Sequence, residues 1–325
     1  MTTEKPLYLM SPPRPDWALL GRANFLSSQD ARPVGPRQAL VDWLSIADAI
    51  EDAGGHVVVL PPAPQHNLTG LPYVAEAGHT FRTVDGKPGV FIPNMKAPHR
   101  VAEGMYLAGF YAGLGFETRS VDGLWEGQGD AIRVDAERVI HTYGKGSQSR
   151  TQEKAYPTVA PAISHRHMLL EYRADPWFHG NTFLGVYRSA DGKRGTVMLC
   201  PEAVSAGDLA LVEEFVDPFA VHRITVEESR AYATNALQVG RMVIAPSGLD
   251  AGIHAVWEEL GLHVIPLELA ALFKSGGGAA VCLTNRMDGI RVDEVPRLLA
   301  YAQQKNAWRA RLADYPVAHL TPQAT

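Results

Sequence analysis

The sequence predicts an α/β fold assembled from a repeated strand, strand, helix, strand unit. Short apolar runs alternate with helix-spaced apolar positions along the whole chain, glycine and proline punctuate the transitions, and no low-complexity linker interrupts the order. Four or five such units fit within the 325 residues. A unit of that kind cannot bury its apolar face alone. The units are therefore expected to pack against one another around a common centre, as a single domain over residues 1–325.

In chain order, residues 7–10 form a short apolar strand ended by the prolines of SPPRP. Residues 21–36, rich in Ser, Asn, Arg and Pro, read as a long loop of the kind that serves as a lid or binding loop. From Pro36, the positions of Leu40, Trp43, Leu44, Ala47 and Ile50 predict a helix, with Gly54 and Gly55 as its terminator and a strand at 57–60. A looser copy follows, with strand 89–92, helix 98–115 and strand 116–121. Strands 130–134 and 138–142 form a hairpin, followed by a helix around 148–154. The order returns with strands 182–187 and 196–199, helix 206–215 and strand 220–226. A last copy runs through strands 234–239 and 241–244, helix 250–260 and strand 263–267.

Composition narrows the function. A net charge of -5 and a pI near 6.2, with Lys and Arg scattered, provide no basic stripe and argue against a nucleic-acid partner. The longest apolar stretch, residues 107–116, falls far short of a membrane span. The N-terminus has no cationic start followed by an apolar core, so the expected location is cytoplasmic. Two cysteines exclude a disulfide framework and leave free thiols as the expectation.

One of those thiols has chemical promise. Cys282 lies in KSGGGAAVCLTNRM, a strand-like apolar run after three glycines, whose missing Cβ lets the backbone bend or approach a ligand closely. A nucleophilic cysteine needs a base and a group to orient that base. WFHGNTFL supplies His179, and WEGQGDAI supplies Glu126 and Asp130. Each alone also fits a plain reading, a core cysteine, a hydrogen-bonded histidine and solvated acids on a turn. What unites them is that all lie beside glycines at strand starts of different units, positions that can converge. Cys200, before Pro201, reads as an ordinary core cysteine. The GxGxx at Gly127 is incomplete, GKGS lacks the upstream glycine of a phosphate loop, and His165 and His167 have no partners at zinc spacing, so no cofactor or metal is expected.

The order EGQGD, FHGNTF, Asn235 in ATNALQVG and GGGAAVCLT resembles the guanidino-group-modifying superfamily of arginine deiminase, dimethylarginine dimethylaminohydrolase and the amidinotransferases, most of all its dimethylargininase-like hydrolase branch. The resemblance spans essentially the whole chain. It implies a five-bladed α/β propeller, the pentein fold, of ββαβ units with pseudo-fivefold symmetry. By the same resemblance Cys282 would attack a guanidinium-type carbon, His179 would protonate the leaving amine and then activate water, and Glu126 would orient the imidazole. Glu76 in PYVAEAG and Asp130 would bind the guanidinium, with Asn181 and Asn235 also at the substrate site. Arg150 in SQSRT, and less closely Arg100 in PHRVAEG, would hold a substrate carboxylate. Asn181 stands where the family's His-x-Asp motif carries an acid, and EGQGD is one residue longer than the commoner EGGD. The implied activity is hydrolysis of a C–N bond in an amino-acid-sized guanidine or amidine, with dimethylarginine or a substituted arginine going to citrulline and an amine as the leading case. Amidino transfer to an amine and a silent small-ligand-binding homologue are the alternatives. The implied partner is a small-molecule substrate, and a homodimer is left open.

Overall fold

Five separate three-stranded sheets account for the strands of the computed structural model, which describes residues 5–17, 35–64, 66–147 and 149–317. β1 (Leu7–Met10) runs parallel to β2 (His56–Val59), with α1 (Pro36–Asp52) between them in sequence. The next sheet joins β3 (His79–Arg82), β4 (Pro88–Phe91) and, after α2 (Val101–Gly113), β5 (Glu117–Arg119). β6 (Ala131–Arg133), β7 (Arg138–Gly144), α3 (Tyr156–Ile163) and β8 (Arg166–Tyr172) repeat that plan. So do β9 (Leu184–Arg188), β10 (Gly195–Leu199), α4 (Ala206–Val216) and β11 (Ala220–Arg223). After α5 (Val226–Arg230) come β12 (Leu237–Val239), β13 (Met242–Pro246), α6 (Ala251–Glu259) and β14 (His263–Leu267). Finally β15 (Asn285–Arg286) returns to pair antiparallel with β1, and α7 (Tyr301–Ala310) follows.

Each sheet thus has the same construction. Its middle strand is antiparallel to one neighbour and parallel to the other, and the parallel partner lies beyond a helix, as a parallel connection requires. The sheet containing β1 differs in drawing its strands from both ends of the chain. Both faces of a middle strand are covered, so β1 and β10 are buried throughout, whereas the edge strand β5 is exposed throughout.

The helix periodicity is realised where an apolar stripe meets a sheet. Leu40, Trp43, Leu44, Ala47 and Ile50 of α1 are all buried, and the Trp43 ring meets Tyr301 and Trp308 of α7 edge-on at 5.5 and 5.6 Å. Ser205, Thr225 and Asp250 cap α4, α5 and α6 by accepting from backbone N–H groups of the first turn. Cys200 is buried, as a core cysteine should be. Among the described residues no helix is long and apolar enough to cross a membrane.

Three expectations change. The helix placed around 148–154 lies later, as a short turn at Glu153–Ala155 followed by α3, whose first turn accommodates Pro157. β3 and β8 are strands that periodicity did not reveal. β8 is an outer strand with only Leu170 and Tyr172 buried, and β3 carries a buried histidine, so neither has a clean apolar alternation. Cys282 is on a turn, with the strand confined to 285–286. The long loop at 21–36 falls, except for its last two residues, outside the described residues.

A buried acid ties α1 to the segment that leads to Cys282. Asp42 Oδ2 accepts from the backbone N–H groups of Ala271 and Leu272 at 2.7 and 2.8 Å, in the π-helical turn Ala270–Ser275, while Gln38 Nε2 donates to Oδ1 at 2.9 Å. Burial outweighs these bonds and pushes its carboxyl up to about 6. Asp42→Ala leaves two buried N–H groups without acceptors and should cost roughly 2–4 kcal/mol by chemical denaturation. Asp42→Asn, which keeps one acceptor, should cost less.

Candidate active site

The first strand of every sheet is preceded by a tight turn. Short 3-10 turns at Val74–Glu76, Gly127–Asp130, Gly180–Thr182 and Ala233–Asn235 lead to β3, β6, β9 and β12, and a turn at 280–283 leads to β15. These turns contact one another in a circuit. Gly180 N donates to Asp130 Oδ1 at 2.8 Å, and Thr234 Oγ1 and Asn235 Nδ2 both donate to Asn181 O at 3.1 Å. Val281 N donates to Asn235 O, and Cys282 N to Asn235 Oδ1, each at 3.1 Å. Ala75 N donates to Cys282 O at 3.1 Å. Gly127, at φ +59, completes the circuit, because a Cβ there would lie 2.9 Å from Ala75 O and 3.0 Å from Gly78 N.

Glu76, Glu126, Asp130, His179, Asn181, Asn235 and Cys282 are therefore brought together, all nearly or fully buried, with Cys282 at 3 % exposure. His179 Nε2 lies 2.9 Å from Glu126 Oε2, and Nδ1 lies 3.3 Å from Glu76 Oε1, close enough for an ion pair but not aligned for a hydrogen bond. Asp130 Oδ1 accepts from Thr142 Oγ1 at 2.6 Å as well as from Gly180 N. The Asn181 amide lies beside the sulfur, with Nδ2 at 3.8 Å and Oδ1 at 4.0 Å from Sγ.

Electrostatics separates these groups. Burial opposes the charge on Glu126, yet the His179 hydrogen bond and the Arg150 guanidinium prevail and bring it down to about 2. Burial also works against protonated His179, but Asp130, Glu126 and Glu76 together hold its pKa above the ordinary histidine value. Burial, and next the Glu76 charge, pushes the Cys282 thiol up to about 12. The arrangement thus favours a protonated imidazole among acidic groups and disfavours the thiolate.

The arginines divide. Arg150 approaches Glu126 at 3.8 Å and lies over the Phe178 ring at 4.7 Å, leaving donors for a further anion. Arg100, expected at a substrate carboxylate, is instead buried and fully committed. It donates to Glu76 Oε2 at 3.0 Å, to both Glu103 oxygens at 2.8–3.1 Å, and to the carbonyls of Gly70 and Tyr73. Its task is to hold Glu76. Asn235, expected at the substrate, has its amide engaged by Cys282 N and Asn181 O and so positions the cysteine. The glycine triplet also has a different reason than ligand approach. A Cβ on Gly276 would meet Tyr73 Oη at 1.7 Å, one on Gly278 would meet the Tyr73 ring at 2.6 Å, and Gly277 has φ +73.

Sequence reasoning missed Tyr73, whose Oη donates to Leu272 O at 3.1 Å, and Tyr232, held at φ 64 with its Oη donating to Gly277 O. It also missed Glu103 and Thr142. Tyr73 sits three residues before Glu76 in a segment already singled out, the only signal that pointed to it.

Two measurements check this geometry. Arg100→Met strands Glu76 and Glu103 as buried carboxylates and should cost about 3–5 kcal/mol by denaturant titration. The Glu126 carboxyl lies below its ordinary 4.5 when folded, so its contribution is complete above that pH and is lost as pH falls toward about 2. Acid unfolding of Glu126→Gln should lose a component of a few kcal/mol in that window.

No protein-family model matches the chain. In sequence it is 24% identical over 254 residues to the N(G),N(G)-dimethylarginine dimethylaminohydrolase of Mycobacterium tuberculosis, covering 77% of this chain and 76% of that protein. It is 23% identical over 265 residues to an uncharacterised protein of Caenorhabditis elegans, covering 78% and 85%. In structure it is similar to the N-terminal domain of ArgZ, an arginine dihydrolase from the ornithine-ammonia cycle in cyanobacteria, with a TM-score of 0.73 and 20% identity over 87% of this chain and 98% of that one. A dimethylarginine dimethylaminohydrolase, solved as an adduct with S-methyl-L-thiocitrulline, gives a TM-score of 0.63 and 19% identity over 88% of this chain and all of the other. The chain is thus similar in sequence to a dimethylarginine dimethylaminohydrolase, and in fold to an arginine dihydrolase domain and a second dimethylarginine dimethylaminohydrolase.

Proposed function

We propose that this chain is a cysteine-dependent hydrolase that cleaves a C–N bond of a guanidine- or amidine-type group on an amino-acid-sized substrate. The observation that carries the reading is the charge of the buried site. Glu76, Glu103, Glu126 and Asp130 provide four carboxyl groups, against the guanidiniums of Arg100 and Arg150 and the imidazole of His179. Burial raises the pKa of Asp130 and brings Glu103 up to about 7, and a bound guanidinium would favour the charged form of these carboxyls and replace its own hydration shell with them. The likeness to a dimethylarginine dimethylaminohydrolase and to arginine dihydrolases supports the same chemistry.

In this mechanism Glu76 and Asp130 grip the cation, while Arg150 takes the substrate carboxylate. The arriving positive charge lowers the cost of ionising Cys282, whose thiol is neutral in the empty site. The thiol proton leaves to solvent, because His179 already carries its own, and Sγ bonds to the central carbon as a C=N electron pair moves onto nitrogen. His179 Nδ1, the ring nitrogen not bonded to Glu126, passes its proton to the departing amine as the C–N bond breaks. Water next adds to the same carbon, giving its proton back to Nδ1, and the C–S bond breaks to leave a ureido product and the restored thiol. Because Cys282 and His179 are buried, substrate enters only with some displacement of the chain around them. Asn181, beside Sγ, can accept or donate where an acid would only accept, which favours a substituted guanidine over arginine itself. Dimethylarginine or another substituted arginine, converted to citrulline and an amine, is the leading substrate.

The five-bladed propeller, with residues 1–325 as one catalytic domain, is supported by the five like-built sheets and by the circuit of turns that joins their first strands.

Mass-spectrometric scanning of a guanidine and ureido panel should find citrulline and free amine from a substituted arginine. Cys282→Ser should fall by at least ~10³-fold and His179→Ala by ~10²–10⁴-fold, and full activity in Cys282→Ser ends the proposal. A cationic haloamidine should alkylate Cys282 much faster than neutral iodoacetamide. Equal rates would show that charge in the pocket does not promote thiolate formation. Protonated His179 is required, so kcat should decline as pH rises through its elevated pKa, and Glu126→Gln should move that limb to lower pH.

A further inference from the structure

A cavity of about 620 Å³ adjoins the candidate site without being part of it. Asn181, Thr234 and Val281 line it, whereas Glu76, Glu126, His179 and Cys282 do not. Its charge is opposite to that of the reacting centre. Arg133, Arg188, Arg241 and Arg286 line it, and Asp191 is the one acid among its lining residues.

Two of these guanidiniums share a single carboxylate just outside the lining. Asp288 Oδ2 accepts from Arg133 Nη2 at 3.1 Å and Nε at 3.2 Å, and its Oδ1 lies 3.1 Å from Arg286 Nε. His79 Nε2 also lies 3.4 Å from Asp288. Asp191 accepts from Ser189 Oγ at 2.6 Å and from Lys193 N at 3.1 Å. Neither Arg188 nor the exposed Arg241 has such a partner among the described residues, and of the two only Arg188 is drawn into the protein. It is half-buried, its backbone is pinned by Gln238, and its guanidinium makes no hydrogen bond or ion pair with any described residue. Burial, and after it the Arg286 guanidinium, holds its pKa below the ordinary arginine value. A half-buried guanidinium facing like charges across a cavity lacks a partner that the described residues do not supply.

We propose that this cavity is an anion-binding site, distinct from the thiol pocket, in which Arg188 with Arg286 and Arg133 receives a small multiply charged oxyanion, an inorganic phosphate or a di- or tricarboxylate. The volume suits a ligand of that size, and planar guanidiniums on three strands can each present paired N–H groups to it. This inference rests on the cavity alone and stands whether or not the chain hydrolyses guanidines.

The test is calorimetric titration of the full chain with sodium phosphate and, separately, sodium citrate, at constant ionic strength set with chloride. Saturable binding in either arm, with a raised melting temperature, is expected, and the stronger arm identifies phosphate or carboxylate as the preferred ligand. Arg188→Met should weaken it at least tenfold, and without anion should melt no lower than the native chain because it removes an unpartnered charge. Arg188→Lys, with charge but no fork, should bind with intermediate affinity and serves if the methionine variant does not fold. Cys282→Ser should bind as the native chain does. No saturable binding in either arm overturns the proposal, as does undiminished affinity in both Arg188 variants. Loss of binding on Cys282→Ser alone would place the anion at the thiol and overturn it equally.

Discussion

The pairing of β15 with β1 is the constraint on which the site depends. Tyr8 stands opposite Arg286 and Leu9 opposite Asn285, so the last strand of the chain is set against the first. Asn285 Nδ2 then donates to the carbonyls of Ala75 and Gly78 at 3.2 and 2.8 Å, and Cys282 O accepts from Ala75 N. A two-residue strand is weak by itself. It is held by what flanks it, the buried turn carrying Cys282 on one side and Met287 in the core on the other. Closing so long a loop costs little more entropy than closing a shorter one, since that cost grows only with the logarithm of length.

Once closed, the circuit concentrates charge that no isolated unit could tolerate. Glu126 is acidified and His179 is made more basic by the same contact, so the two are a coupled ion pair buried from water. Arg100 plays the complementary structural part, neutralising Glu76 and Glu103 and fixing Glu76 between the imidazole and the rest of its own turn. The thiol is the group that these surroundings leave disfavoured in its charged form. The same carboxylates therefore hold the protonated imidazole and oppose the thiolate.

The molecule also segregates charge by sign around Asn181. Carboxylates gather about His179, and guanidiniums line the cavity that Asn181 and Thr234 border. A neutral amide at the boundary can face both sides without adding a charge to either, which an aspartate there would not do. The hydrogen bonds from Thr234 and Asn235 to the Asn181 carbonyl keep that boundary in place.

Helices α1, α4 and α6 and most middle strands were legible in the sequence, because burial on one stripe or both faces leaves a regular apolar pattern. β3 and β8 were not, since a strand with a buried histidine or an exposed outer face has no such regularity. Cys282, His179, Glu126, Glu76 and Asp130 could be singled out by glycine-flanked motifs in a fixed order. The tasks of Arg100, Asn235 and Asp42 could not, because each depends on a partner at least a turn away, and for Asp42 at the opposite end of the chain. The sequence by itself determined the repeated unit and the reactive residue types. Only the tertiary structure decided which buried charges are paired, which glycines make room for Tyr73 and which half-buried arginine has no counter-ion among the described residues. Those outcomes follow from distance and desolvation between segments far apart in sequence, and no local pattern encodes them.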